Sequence, residues 1–441
     1  MISSKPLTGG VRAALGNIGW LSFDRVLRMG GALAVGSLVA RYLAPASFGT
    51  LNLAMAIYML FNTASNLGLD YLVVRDVVMH PERNHEVLGT AFWLKAFASV
   101  LTTLAAVIFT WFSHRDSGTL VVMVVLLSGA AISQALDVID YYFQAHTLSR
   151  RTVVPRLFTF VAINLGRVLA VFLHAGVMVF AEIAAAEILL GELALLVSYW
   201  SHPHLLPRWT WNRARAHALL KESWPLVLAG LLVMIYMRTD QILLGYMVGD
   251  RAVGYYSAAV RLSEIWYTIP ALICNSVMPR LLNTLTQDRE LYYRRLQMLY
   301  NAMVLLSVLL GFATLPTSRP LIILLFGKAY LPAVGVLNIH IWTGVFVFIG
   351  VLGGQQLIHE KLTIVELRRA ALGAVVNLVL NIALIPSMGI IGSALATLVA
   401  QATASYFADA FSQRTRHLFR MKSYALSGLW LFRGDLRRIA D

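Results

Sequence analysis

The sequence predicts an all-α polytopic membrane protein, with about twelve transmembrane helices in two six-helix lobes around a central cavity. Three observations carry that prediction. Of 441 residues, 58% are hydrophobic and 13% charged, with a mean hydropathy of +0.69. A soluble domain carries roughly 25% charged residues, so a surface of this composition suits a bilayer rather than water. Apolar runs of spanning length recur along the whole chain, and basic residues gather at alternate connections between them.

The runs fall at 17–40, 50–70, 89–112, 119–140, 155–174, 177–200, 224–248, 252–278, 298–316, 331–357, 364–385 and 389–411. Each is close to the ~20 residues that cross a hydrocarbon core. The opening MISSKPLTGGVRAALGN is too polar for a cleaved signal peptide, so the first run is expected to stay as a span. LPTSRPLIILLFG follows the ninth run, and its two prolines predict a break with a short membrane-edge segment over 315–327. The single cysteine, Cys274, lies in an apolar run and reads as packing; it rules out internal disulfides and zinc clusters.

With the N-terminus placed in the cytoplasm, and with Arg156, Arg368 and Arg369 at the cytoplasmic ends of their runs counted with the adjoining loops, twenty-five of the 36 Lys and Arg fall on the cytoplasmic side and five on the other, with six inside spans. That bias is the positive-inside signature of an even number of spans with both termini cytoplasmic. The formal charge of +14 is therefore orientation and attraction to anionic lipid headgroups, not a nucleic-acid footprint. The outer connections are short and leave no domain for a catalytic site, so no enzyme is expected. The tail RTRHLFRMKSYALSGLWLFRGDLRRIAD alternates basic with apolar residues. It reads as an amphipathic element on the inner leaflet or as a disordered segment.

An internal repeat organises the chain. LVARYLAPASFGTLNLA (38–54) and LLGYMVGDRAVGYYSAA (243–259) align at an offset of 205, placing Gly49 on Gly254, Ala54 on Ala259 and Arg75 on Arg280. At an offset of 213, His146, Arg156 and Asn164 meet His359, Arg369 and Asn377. The reading is an N-terminal lobe 1–205, a basic linker 206–223, a second lobe 224–411 and a cytoplasmic tail 412–441. Two lobes of six spans share one orientation, with a cavity between them.

Charges inside spans are costly, at least ~2.5–3.5 kcal/mol each at the bilayer centre, so they pair or face a cavity. Asp24 and Arg28 are four apart and Arg261 and Glu264 three apart, spacings that fit pairs on one helical face. Lys95 is near a span end and is expected to snorkel. Glu182, Glu187 and Glu192 step by five and do not share a face. In VMIYMRTDQILLGYM, Arg238 and Asp240 point about 200° apart; Arg238 is expected to face the cavity and the substrate phosphates, and Asp240 a neighbouring helix or a coupling proton. The functional reading is a cationic cavity of Arg25, Arg28, Arg238 and Arg261, because the guanidinium fork grips phosphate oxygens and keeps its charge. Asp24, Asp240, Glu264 and Glu187 are then coupling or structural acids. Asn62, Gln134, Asn164, Gln356, Asn377 and Asn381 suit either sugar hydroxyls or helix–helix hydrogen bonds. No metal or cofactor site is expected, and FGKAY lacks the remainder of a phosphate loop.

Several segments resemble known proteins. DQILLGYMVGDRAVGYYSAAVRLSE (240–264), LLFGKAYLPAVGVL (324–337), IPSMGIIGSALATLVA (385–400) and LVARYLAPASFGTLNLA (38–54) occur in the order found in bacterial oligosaccharide flippases. These belong to the polysaccharide transport branch of the multidrug/oligosaccharidyl-lipid/polysaccharide exporter superfamily. The resemblance implies a twelve-helix flippase of the inner membrane working by alternating access. Its cargo would be an undecaprenyl-pyrophosphate-linked glycan for O-antigen, capsule or exopolysaccharide, with a polysaccharide polymerase as a possible partner. A multidrug or cation antiporter shares the fold but needs an acidic cavity. A lipid II flippase typically has fourteen spans. An O-antigen polymerase or ligase usually needs a long outer loop.

Overall fold

The computed structural model describes residues 8–114, 117–201, 209–360 and 362–432, and all regular structure among them is helical. Two compact units emerge: one holds the chain to Leu43 and Leu53–Gly230, the other Ala44–Asn52 and the chain from Leu231.

In the first unit, α1 (Thr8–Ser65) carries two expected spans across a break at Ala44, with φ 58 and ψ 170. Unbroken, its 58 residues would reach ~87 Å, far beyond a ~30 Å hydrocarbon core. Pro45 fixes the place of the break, because its ring excludes the α conformation at the residue before it. A turn at Leu67 and Gly68, both at positive φ, leads into α2 (Leu69–Met79). Then come α3 (Asn84–Ser113), α4 (Gly118–Ala131), a 3₁₀ turn (Ile132–Asp137), α5 (Val138–Ala145), α6 (Arg150–Phe172) and α7 (Val177–Trp200).

Helix α3 shows what the bilayer does to the usual pattern. Phe97, Leu101, Leu104 and Ile108 form an exposed apolar stripe, while Lys95, Ser99, Ala106 and Thr110 are buried. Lipid gains nothing from hiding leucine, so the small and polar face is the one that packs.

Helix α8 (Arg213–Met247) begins in the first unit and ends in the second. Asn212 caps it, its Oδ1 accepting from the Ala214 and Arg215 amides at 2.9 and 3.1 Å. Residues 213–223, expected in a linker, are therefore helical. Arg215 pairs with Asp76 at 2.8 Å and Glu222 with Arg75 at 2.5 Å, tying this first part of α8 to the end of α2.

The second unit continues with α9 (Asp250–Glu264), α10 (Thr268–Gln287), α11 (Arg289–Leu325), α12 (Ala333–His340), α13 (Thr343–His359) and α14 (Thr363–Ser405). Helix α14 holds the last two spans, divided at Gly389 with φ 55. Counting α4 with α5, α9 with α10 and α12 with α13, the described residues make twelve spans. The break expected over 315–327 is absent: α11 runs through Pro316 and Pro320 to Leu325, and the turn comes at Gly327, φ 91. Thr314 and Thr317 donate to the Leu310 and Ala313 carbonyls one turn back within this helix.

Repeat-related residues meet inside this second unit. A Cβ on Gly49 would lie 1.7 Å from the Asp250 carbonyl, and one on Gly254 would lie 1.9 Å from that of Pro45. Pro45 and Asp250 are separated by the same 205 residues as the two glycines, so the contact is reciprocal. Cys274 is fully buried among Met278, Tyr300 and Phe348, a packing residue as expected.

The tail differs from its sequence reading. Helix α15 (Arg416–Ser427), followed by the short α16 (Leu429–Phe432), packs against α11 and the end of α14, burying Leu418, Lys422 and Ala425. It is part of the protein core rather than a surface float; residues 433–441 lie outside the described part.

Candidate functional site

The second unit encloses a cavity of about 390 Å³ lined by Asp240, Glu264, His340, Glu366 and Arg369 among others. Arg238 and Asp240 diverge on α8, as their spacing requires. Arg238 donates to Glu264 Oε2 at 3.5 Å. Asp240 is buried, taking hydrogen bonds from the Tyr256 hydroxyl, from Thr397 Oγ1 at 3.3 Å and from the Gln241 amide at 2.8 Å. Glu264 thus takes Arg238 from α8, whereas sequence spacing offered it Arg261. The Arg261 guanidinium stands 5.4 Å from the centre of the Phe48 ring.

Behind Asp240 the amides knit α14 together. Ser393 donates to Asn381 Oδ1 at 2.7 Å, Asn381 to the Asn377 carbonyl at 2.9 Å, and Asn377 to Thr397 at 3.5 Å. Both asparagines are fully buried, so of the two roles open to them they fill the packing one. Arg369 donates to the Ala404 carbonyl and to Glu366, each at 3.0 Å, with Asp409 3.6 Å away. Lys422, reaching in from α15, donates to Asp409 and to the Ser405 carbonyl, each at 2.7 Å. Burial, followed by the neighbouring Arg369, pulls its amine down to about 8. His340, which no sequence pattern flagged, hydrogen-bonds Ser263 at 2.8 Å.

In the first unit, Arg28 lies 5.5 Å from the centre of the Phe160 ring. Asp24 and Arg25 have side chains outside the described residues. Glu187 is held by Arg167 at 2.5 Å, Glu182 is exposed and Glu192 is buried, three separate environments for three glutamates. Lys95 corrects its expectation: it is fully buried, donating to Asp137 at 3.1 Å, and does not snorkel. It sits on the packed face of α3, where the 3₁₀ turn of the fourth span supplies the carboxylate. Asp137 and Asp140 went unnoticed at the end of an apolar run; QALDVIDYY was their only signal. Among the described residues no group of three or more His, Cys, Asp and Glu is arranged to hold a metal ion.

Twelve mostly lipid-facing spans with charged clusters inside each unit define a multi-pass helical membrane protein of transporter fold. Solved structures of that fold are similar over nearly the whole chain. Lipid II flippase MurJ in an inward closed conformation superposes with a TM-score of 0.68 at 16% identity, covering 95% of this chain and 92% of that one. An inward-facing multidrug resistance MATE family transporter of the MOP superfamily gives 0.70 at 13% identity, covering 92% and 99%. Residues 38–335, more than half of the chain, match the family described as polysaccharide biosynthesis protein, and the chain belongs to that family.

Two curated relatives are similar to parts of it. The probable flippase AglR of Haloferax volcanii is 27% identical over 201 residues, 44% of this chain and 42% of the relative. The succinoglycan biosynthesis transport protein ExoT of Rhizobium meliloti is 22% identical over 339 residues, 73% of this chain and 64% of the relative. The chain thus spans less than two thirds of either relative's length.

Proposed function

We propose that the chain is a flippase that moves a lipid-linked oligosaccharide between membrane leaflets by alternating access. The observation that carries this reading is the family match over residues 38–335; the names of both relatives agree with it. The cargo we assign is an undecaprenyl-pyrophosphate-linked glycan destined for O-antigen, capsule or exopolysaccharide, carried from the cytoplasmic to the outer leaflet of a bacterial inner membrane. Both termini are then cytoplasmic, and a polysaccharide polymerase is the natural acceptor of the product. Arg25, Arg28, Arg238 and Arg261 are the residues we assign to the diphosphate, since a guanidinium keeps its charge in an apolar setting and binds phosphate oxygens in pairs. In this scheme Glu264 holds Arg238 until the anion competes for it, and Asp24, Asp240 and Glu187 are coupling or structural acids.

The second reading is a cation antiporter, favoured by the carboxylates of Asp240, Glu264 and Glu366 around the cavity of the second unit. Deleting the gene and identifying the lipid-linked glycan that accumulates on the cytoplasmic face decides between them. Arg28→Ala and Arg238→Ala are expected to abolish surface polysaccharide while the protein still inserts. Normal polysaccharide in both variants would overturn the assignment of these arginines to the diphosphate, and a deletion strain with raised sensitivity to cationic drugs and normal glycan would overturn the flippase reading.

A further inference from the structure

Inside the first unit three acids meet two bases. Lys95 on α3 donates to Asp137 Oδ2 and to the Tyr141 hydroxyl, both at 3.1 Å. Arg156 on α6 donates to Asp137 Oδ1 at 2.7 Å and to Glu192 Oε1 at 3.0 Å, with Asp140 Oδ2 3.6 Å away. Tyr58, from α1, accepts from Gln134 at the edge of the group. Helix α4 brings no ionisable side chain, and Arg167, further along α6, is taken by Glu187. Glu192 itself is 5% exposed, and its second oxygen, Oε2, is buried and accepts no hydrogen bond among the described residues.

With every group ionised, this cluster holds one negative charge too many. A buried carboxylate oxygen without a partner is expensive, and a group in that position takes up a proton instead. The charged cluster of the second unit makes the contrast in charge: Asp409 Oδ1 also accepts no hydrogen bond among the described residues but has Arg369 Nε 3.6 Å away, and with Arg369 and Lys422 facing Glu366 and Asp409 that cluster balances with no proton added.

We propose that Glu192 Oε2 holds one exchangeable proton, which makes the Lys95–Asp137–Arg156–Glu192 cluster a proton-binding site in the first unit. A proton adds to Oε2, turning the carboxylate into a neutral acid, and leaves by the same edge, where Asp137 and Arg156 are part-exposed. If the chain is the flippase inferred above, this proton is the coupling ion; its presence on Glu192 does not depend on that reading.

The test is infrared spectroscopy of the full chain in lipid nanodiscs, titrated with pH and with no substrate added. The wild-type spectrum is expected to contain the C=O stretch of a protonated carboxylic acid at neutral pH that Glu192→Gln removes and Glu182→Gln leaves. Asp137→Asn is expected to remove the same band, because two bases then face two acids and Glu192 ionises. A band that survives in Glu192→Gln overturns the proposal, as does one that survives in Asp137→Asn, and the second variant keeps the test decisive if the first misfolds. Since no transport is measured, a negative result removes the proton site and leaves the flippase reading to its own experiment.

Discussion

Lys422 shows how much one side chain decides. In sequence it is one more basic residue of a charged tail; in the fold it is fully buried against Asp409. Removing one partner of a buried ion pair costs ~3–5 kcal/mol, so Lys422→Ala is expected to release α15, seen as faster limited proteolysis within 416–427. Its amine, ordinarily at 10.5, titrates at about 8. Below pH 8 docked and undocked states are both protonated, and docking is insensitive to pH. Between 8 and 10.5 the docked state binds fewer protons, so docking strengthens as pH rises. Lys422→Gln should flatten that dependence. Gly254 is the other sensitive position, where a methyl group would meet the Pro45 carbonyl. Gly254→Ala is expected to destabilise by ~1–3 kcal/mol, read as a lower Tm in detergent.

At the scale of elements, the breaks carry the information. Ala44 occupies a backbone region that glycine alone adopts freely, at a cost of order 1–3 kcal/mol. Ala44→Gly is therefore expected to raise thermal stability by about that amount, and an unchanged Tm would mean the kink carries no strain. The gap between the apolar runs 17–40 and 50–70 made a break here legible in the sequence. The break expected over 315–327 is absent, and the helix continues through Pro316 and Pro320. Proline removes a donor wherever it stands; whether the helix ends depends on what surrounds the freed carbonyl. The 3₁₀ turn Ile132–Asp137 was invisible for the opposite reason: nothing in ISQALD breaks a helix, and packing sets it.

At the scale of the whole molecule, the charge bias predicts orientation. Cys274 is buried, so single cysteines introduced elsewhere report alone. His359→Cys is expected to react with a membrane-impermeant thiol reagent only from the cytoplasmic side, and His114→Cys only from the outer side. The reverse pattern would overturn the orientation that the charge bias predicts.

By itself the sequence determined the class of solvent, the twelve spans and their alternating charge, because these follow from burying the backbone in hydrocarbon and need no partner. It also determined that Arg238 and Asp240 diverge, since helical geometry alone requires it. Only the tertiary structure decided which charges pair. Glu264 takes Arg238, Lys95 takes Asp137, and Lys422 takes Asp409 from a helix outside the spans. Each of these pairs joins residues from two elements, and no periodicity along one of them can name the other.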